Sequence, residues 1–244
     1  MSLPQDNEKR RFVENMFDQI APRYDLVNRV MTFGIDQRWR RRAVRGLEVG
    51  RGDRVIDLGC GTGDLMEEVA RTGATPVGAD VSFEMMVNGR RRMGHLPFLR
   101  ADAQQLPFAD ASFDAAISGF ALRNFTSIPD ALRETARVLK PGGRLAILEV
   151  NVPDSRIRRA LFQTHFTRIV PWIGRLFSRG YAYDYLAAST VYLPRFPEFS
   201  RQLGELGFDD VRQQILLAAA AEIVTARRAD RTGAAADRAW ADAS

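Results

Sequence analysis

Three glycines at every second position interrupt the run Val55-Ile-Asp-Leu-Gly-Cys-Gly-Thr-Gly-Asp64: Gly59, Gly61 and Gly63. A β-branched run that breaks into glycines leaves bare backbone where a ligand can approach closely. Between a strand and a helix N-terminus, such a turn can also aim N–H groups at an anion. The dinucleotide fingerprint GxGxxG would need glycine at position 64, which is Asp64. No P-loop lysine follows, which argues against a nucleoside triphosphate. Asp57, beside the turn, would repel a phosphate but suits a cationic amine. Asp80 ends the next apolar run, where a carboxylate can accept hydrogen bonds from both hydroxyls of a ribose. A ligand with an amine, a carboxylate and a ribose but no phosphate is S-adenosylmethionine.

Holding these residues together requires alternating strands and helices. Arg54–Leu58 reads as a strand, Asp64–Arg71 as a helix and Pro76–Val81 as a second strand. Pro97–Ala101 leads to the acid Asp102. Phe113–Phe120 is a further strand, followed by a helix over Ile128–Leu139 with Leu132, Ala136 and Leu139 on one stripe. Lys140–Gly143 is a turn and Arg144–Val150 a continuous apolar strand. Apolar runs spaced by helices imply a parallel sheet covered on both faces. Right-handed crossovers then make it a doubly wound, Rossmann-like α/β sandwich. Asp210–Leu217 and Ala221–Arg227 suit a closing antiparallel pair. The reading divides one domain into a helical N-terminal cap (1–50), a cofactor-binding core (51–152), a substrate-side cap (153–200), closing strands (201–228) and a tail (229–244).

Composition narrows the class. The chain has 244 residues, 45% hydrophobic and 27% charged, as expected of one globular domain. The start, MSLPQDNEKRR, lacks an apolar signal core, and no apolar run reaches the roughly 18 residues of a membrane span. Cys60 is the only cysteine, which excludes an internal disulfide and a cysteine-built zinc site and fits a reducing, cytoplasmic setting. The net charge of +5 suits an anionic partner or follows from arginine usage alone.

Four stretches taken in order carry a resemblance. VIDLGCGTGD looks like the first motif of class I S-adenosylmethionine-dependent methyltransferases. Asp80 in GADVS stands where that class keeps its ribose-binding acid. RADAQQLPF (100–108) resembles the segment whose acid meets the adenine amino group, and LKPGGRLAILE (139–149) resembles the turn and fifth strand. The resemblance implies a seven-stranded sheet with the cofactor at the carboxyl ends of the strands. It also implies cofactor contacts from Asp57, Gly59, Gly61, Thr62, Gly63, Asp80, Val81, Asp102, Ala103 and Gly119. Residues 16–44, SGFALRNF (118–125) and YDYLAASTVYLPRFPEF (183–199) are similar to the UbiE/MenG family, over roughly residues 10–227. That family C-methylates the ring of a prenylated quinol, demethylmenaquinol or a ubiquinol precursor. Two positions depart from its pattern. Ala121 replaces a glycine, and Ala218–Ala221 stands where glycines are usual.

Such chemistry needs a dry slot, alignment and stabilisation of phenolate charge. Arg123, beyond the fourth strand, is the candidate cation, with Asn124 as a neutral partner. Tyr24, with Asp25, forms part of a lid. Glu149 is a weaker base candidate. Met85 and Met86 pack on adenine or in the core, Cys60 is a small filler, and His95 and His165 have no partners at metal-ligand spacing. No metal is expected. Segment 155–181 has six arginines, no acid and interleaved apolar residues, a pattern for a membrane surface or a greasy pocket. The expected partners are a prenylated quinol and the inner face of a membrane, with no nucleic acid; a homodimer is an open option. RNA methylation would suit the basic charge, but SGFALRN replaces the Asn/Asp-Pro-Pro-Tyr usual after the fourth strand in amino-group methyltransferases.

Overall fold

The computed structural model of the chain describes residues 6–151, 185, 188–216 and 221–230. Three helices lead: α1 (Asp6–Ile20), α2 (Tyr24–Met31) and α3 (Ile35–Gly46). Then follow β1 (Arg54–Leu58), α4 (Asp64–Ala70), β2 (Thr75–Asp80), α5 (Phe83–Arg92), β3 (Phe98–Arg100), β4 (Phe113–Gly119), α6 (Ile128–Val138), β5 (Leu139–Val150), α7 (Phe196–Glu205), β6 (Phe208–Ile215) and β7 (Ala221–Arg228). The seven strands form one sheet in the order β3-β2-β1-β4-β5-β7-β6. β1 to β5 run parallel, and β7 is antiparallel to both β5 and β6.

The pleat explains the two cores. Ile56, Ala116, Leu145, Ile147 and Val224 face a cluster closed by Leu132 of α6 and Phe199 and Leu203 of α7. Their sequence neighbours Val55, Ala115, Ala146 and Ile223 face the opposite cluster, closed by Ala43 and Val44 of α3 and by Leu65 and Val69 of α4. Each apolar run is therefore buried on both sides, as the continuous hydrophobicity of β5 requires. Helix starts are set locally. The hydroxyls of Ser82 and Ser127 accept from the backbone N–H groups of Met85 and Asp130, capping α5 and α6. Arg90, Arg91 and Arg92 close the last turn of α5, where a cation is favoured.

One expectation changes. Lys140–Gly143 lies within β5 rather than before it: Leu139 pairs with Phe113 and Arg144 with Ala115, so the segment is an irregularity in the ladder. Gly142 takes φ +71° there, which supplies the turn without breaking the strand. The long basic segment 155–181, His165, Ala218–Ala220 and the tail beyond residue 230 lie outside the described residues.

The leading helices are tied to the sheet by charge. Asp18 of α1 accepts from the Ser82 hydroxyl at 2.6 Å and from the Glu84 N–H at 3.1 Å, so α1 helps cap α5. Asp64, at the start of α4, is held by Arg40 (3.8 Å), Arg92 and the Gln37 amide (3.1 Å). Burial pushes the Asp64 carboxyl up, but Arg40 and Arg92 outweigh it and hold the group below its ordinary range. Arg92 also reaches Asp25 at 2.8 Å, and the Thr62 hydroxyl donates to Asp25 at 2.6 Å. The cap is thus anchored on the glycine-rich turn itself.

Candidate active site

A cleft enclosing about 690 Å³ of space, open solvent included, lies at the carboxyl ends of β1 to β4. It sits where the order reverses between β1 and β4, the position at which open α/β sheets hold ligands. Gly59, Gly61, Asp80, Val81, Asp102, Ala103 and Gly119 line it, with Phe120, Ala121 and Asn124 beyond β4. Tyr24 of α2 and Arg10, Val13 and Phe17 of α1 form its outer wall. Met85 lines it too, whereas Met86 packs with Cys60, Met66, Met93 and Phe98 behind the turn.

Four N–H groups of the turn are not available to an anion. The N–H groups of Gly59 and Cys60 donate to the Ala79 carbonyl at 2.8 and 3.1 Å, that of Gly61 to the Asp80 carboxylate at 2.7 Å, and that of Gly63 to the Cys60 carbonyl at 2.9 Å. These donors are spent on closing the turn. What the glycines provide is room. A methyl group on Gly61 would meet nothing within 4 Å, so its bare Cα faces open cleft. On Gly59, at φ +66°, a methyl group would lie 2.5 Å from the Cβ of Ala121. On Gly63, at φ +86°, it would strike Met93 and Phe98 at 2.7 and 2.8 Å.

The carboxylates differ in state. Asp80 accepts from the N–H groups of Gly61 and Ser82 at 2.7 and 2.8 Å, which leaves about two of its four acceptor sites for a ligand. Burial raises its pKa, and those backbone donors oppose the rise. Asp102 accepts from the N–H of Gln104 at 3.0 Å and faces Arg10 at 3.3 Å. Asp57 is only 1% exposed, and neither of its oxygens has a hydrogen-bond partner. Burial pushes its pKa up to about 8, against the pull of Arg40. Asp57, Thr62 and Gly63 stand behind the lining rather than in it.

Beyond β4, Asn124 lines the cleft; its amide reaches the Phe120 carbonyl at 3.4 Å and its Oδ1 is buried without a partner. The single turn Leu122–Asn124 turns Arg123 the other way. Arg123 is 6% exposed, donates to the Phe120 carbonyl at 2.9 Å and pairs with Glu149, so its guanidinium lies behind the cleft floor and not in the lining. Burial raises the pKa of Glu149, and Arg123 opposes the rise. Burial likewise raises that of Tyr24, opposed by Arg40, by a hydrogen bond with Asn28 and then by Arg123, so this phenol stays protonated with two guanidinium charges near it.

Sequence reasoning missed the wall from α1 and the part played by Arg40. Arg10, Val13 and Phe17 have helical spacing, a signal present in the sequence. Arg40 is hidden in the run Trp39-Arg-Arg-Arg42, which reads as a solvated face. Only Arg40 of these arginines is buried, at 7% exposure, between Asp36 and Asp64. His95 is exposed on a turn. Among the described residues no three His, Cys, Asp or Glu side chains are grouped to hold a metal ion.

The sheet order, the glycine turn and the acid ending β2 define a class I methyltransferase. Solved structures agree on the fold: a SAM-dependent methyltransferase from Thermotoga maritima superposes with a TM-score of 0.63 at 18% identity, covering 88% of this chain and 99% of that one. A SAM-dependent methyltransferase from Aquifex aeolicus gives 0.56 at 16% identity, covering 78% and 89%. Residues 4–227 match the ubiE/COQ5 methyltransferase family, and the chain belongs to that family. It is 40% identical over 214 residues to the ubiquinone/menaquinone biosynthesis C-methyltransferase UbiE of Geobacter sulfurreducens, covering 83% of each chain. It is 36% identical over 207 residues to the demethylmenaquinone methyltransferase of Chlorobaculum tepidum, covering 82% of this chain and 86% of that one.

The approach of Gly59 to Ala121 separates two costs. Gly59→Ala should lower stability through the left-handed backbone, by roughly 1–2 kcal/mol, and further through overpacking, by roughly 1–3 kcal/mol. Adding Ala121→Gly should return the overpacking part alone. Urea unfolding of the single and double variants checks this, and no recovery in the double variant would show that the contact is not the source.

Asp57 makes a pH prediction. Between pH 3.8 and about 8 the folded chain holds a proton that the unfolded chain has lost. Stability therefore falls as pH rises through that window, by up to about 1.4 kcal/mol per unit. Asp57→Asn removes the dependence, so its melting temperature should gain on the wild type steadily up to pH 8. Parallel melting curves for the two ligand-free proteins would contradict the assignment.

Proposed function

We propose that this protein moves a methyl group from S-adenosylmethionine to a ring carbon of demethylmenaquinol, giving menaquinol. The observation that carries the reading is the Asp80 carboxylate at the cleft wall, half used by the turn and half open to a ribose. The family assignment and the name of the Chlorobaculum relative support the acceptor. A ubiquinol precursor is the alternative acceptor, because the Geobacter relative's name covers both quinones.

S-adenosylmethionine supplies an electrophilic methyl group on its sulfonium. The chain's own residues do the rest. Asp80, with Val81 beside it, holds the ribose hydroxyls, and Asp102 with Ala103 receives the adenine. Gly59, Gly61 and Gly119 let the ligand lie against bare backbone. Asp57, behind them, provides a carboxyl that ionises when an ammonium group comes near; Gly63 and Thr62 hold the turn and, through Asp25, the lid. Val13, Phe17 and Phe125 exclude water. Alignment in such a slot can offset roughly 7–11 kcal/mol of a methyl-transfer barrier.

The quinol carbon becomes nucleophilic when its neighbouring phenol loses a proton. Tyr24, protonated, donates to that oxygen, and Asn124 in the cleft wall is the neutral partner beside it. Arg123 acts at one remove: with Arg40 it keeps the floor of the cleft positive, which favours the phenolate. Water at the cleft mouth takes the proton.

Purified protein given S-adenosylmethionine and demethylmenaquinol should yield a quinol heavier by one methyl group in mass spectrometry, with the ubiquinol precursor offered in parallel. Asp80→Ala should weaken cofactor binding by roughly 1.5–3 kcal/mol, about tenfold or more, in calorimetric titration. Undiminished affinity would remove Asp80 from the ribose site.

Arg123 and Glu149 give opposite signs. If the guanidinium charge favours the phenolate, Arg123→Ala should lower kcat and move its pH profile upward while cofactor affinity holds. Glu149→Gln removes the counter-charge and should move the profile downward. If the pair serves only to pin the backbone, both variants lose melting temperature and neither profile moves.

A further inference from the structure

Helix α2 turns two faces outward from its axis in different directions. Val27 is fully buried in the cluster with Met16 and Ile20, and Tyr24 reaches the cleft. On the other side Leu26 is 53% exposed, Val30 37% and Phe33, in the turn after the helix, 83%. Their spacing of four and then three residues makes one stripe. Phe33 adopts φ +51°, a conformation that a bulky residue takes at a cost, and it gains no burial in return. A contiguous apolar stripe shown to solvent marks an interaction surface.

The surrounding charge identifies the partner. Between Pro22 and Gly46 every exposed charged side chain is an arginine. The acids of the stretch are turned inward: Asp25 pairs with Arg92 and Thr62, and Asp36, 2% exposed, accepts from Thr32 and Gln37 and pairs with Arg40. An apolar stripe on a segment whose exposed charges are all cationic matches an anionic lipid surface, where the apolar side chains enter the headgroup boundary and arginines such as Arg29 of α2 meet phosphate. A second copy of the chain fits poorly. Three side chains are far short of the roughly 800 Å² per partner of a stable interface, and a two-fold contact would set arginines against arginines.

We infer that the outer face of α2, through Leu26, Val30 and Phe33, docks the protein on an anionic bilayer with the cleft directly behind. This rests on the prenylated-quinol reading, since an isoprenoid tail lies in the bilayer. One helix, about 10 Å across, then separates lipid from the cleft wall at Tyr24. The acceptor ring would enter past the lid while its tail stays in lipid.

The test is co-sedimentation with vesicles of phosphatidylcholine plus phosphatidylglycerol, and of phosphatidylcholine alone, with no quinol or cofactor present. The variant Leu26→Gln/Phe33→Asn keeps a good helix former in α2 and a residue at home in the left-handed region. The wild type should sediment with the anionic vesicles and less with neutral ones, and added salt should release it. The variant should lose about tenfold or more in partition at an unchanged melting temperature and unchanged turnover of a tail-less quinol. Equal binding by variant and wild type, or no binding by the wild type, overturns the inference. So does a wild-type dimer in light scattering that the variant makes monomeric, which would make the stripe a self-association face. Because the vesicles hold no substrate, a failure to methylate the quinol refutes the enzymatic reading separately and leaves the lipid result to be judged by itself.

Discussion

The site depends on how closely β1 and β4 come together at their carboxyl ends. There the chain after β1 must turn away from the sheet while the chain after β4 turns the other way. At Gly59 the space to Ala121 does not admit even a methyl group. The turn is then closed from β2, through the Ala79 carbonyl and the Asp80 carboxylate. A single acid therefore ties the first two strands and still shows open acceptor sites to the cleft. The same close approach leaves bare backbone at Gly61, so a ligand can lie flat against the turn.

A second layer of order is electrostatic and lies almost out of sight. Arg40 stands among Asp36, Asp64 and Asp57, with its guanidinium 5.5 Å from the Phe120 ring centre. It partly offsets three buried acids and biases the Tyr24 phenol. Arg123 with Glu149 repeats the arrangement behind β4 and β5. Buried pairs of this kind contribute little net stability, since desolvation consumes much of the Coulombic gain. They act on protonation states at the cleft: burial keeps the Tyr24 phenol protonated and the Asp57 carboxyl high, Arg40 pulls against both, and Arg40 with Arg92 holds Asp64 low. The leading helices belong to the same network, because α2 is held to the glycine turn through Asp25, Thr62 and Arg92, and α3 to Asp64 through Gln37 and Arg40.

Local patterns made much of this readable before any coordinates. Gly59, Gly61, Gly63, Asp57 and Asp80 lie within two short strand ends, and their meaning comes from order along the chain. Strand boundaries were legible because apolar runs buried on both faces stand out from their helical spacers. The Lys140–Gly143 segment was harder, since a Pro-Gly-Gly turn and a ladder irregularity carry the same local signal. Which N–H groups of the turn stay open to an anion was hidden for a different reason: whether an N–H is free depends on which carbonyl from another strand reaches it, and Ala79 takes those of Gly59 and Cys60.

By itself the sequence determined the class of fold, the cofactor and two acids that line the cleft, Asp80 and Asp102, because those follow from periodicity and from motifs held within single turns. It also carried the family, through stretches whose spacing survives without coordinates. Only the tertiary structure decided which arginine is buried and which is solvated, since Arg40, Arg41 and Arg42 are identical in type and differ only in helical phase against the sheet. It decided that Asn124 faces the cleft while Arg123, the adjacent residue, turns away to Glu149, a choice made by one tight turn. It decided, too, that α1 closes the wall and that α2 stands with Tyr24 inward and Leu26, Val30 and Phe33 outward. Those are long-range packing outcomes, set by which faces the sheet leaves open, and no window of neighbouring residues contains them.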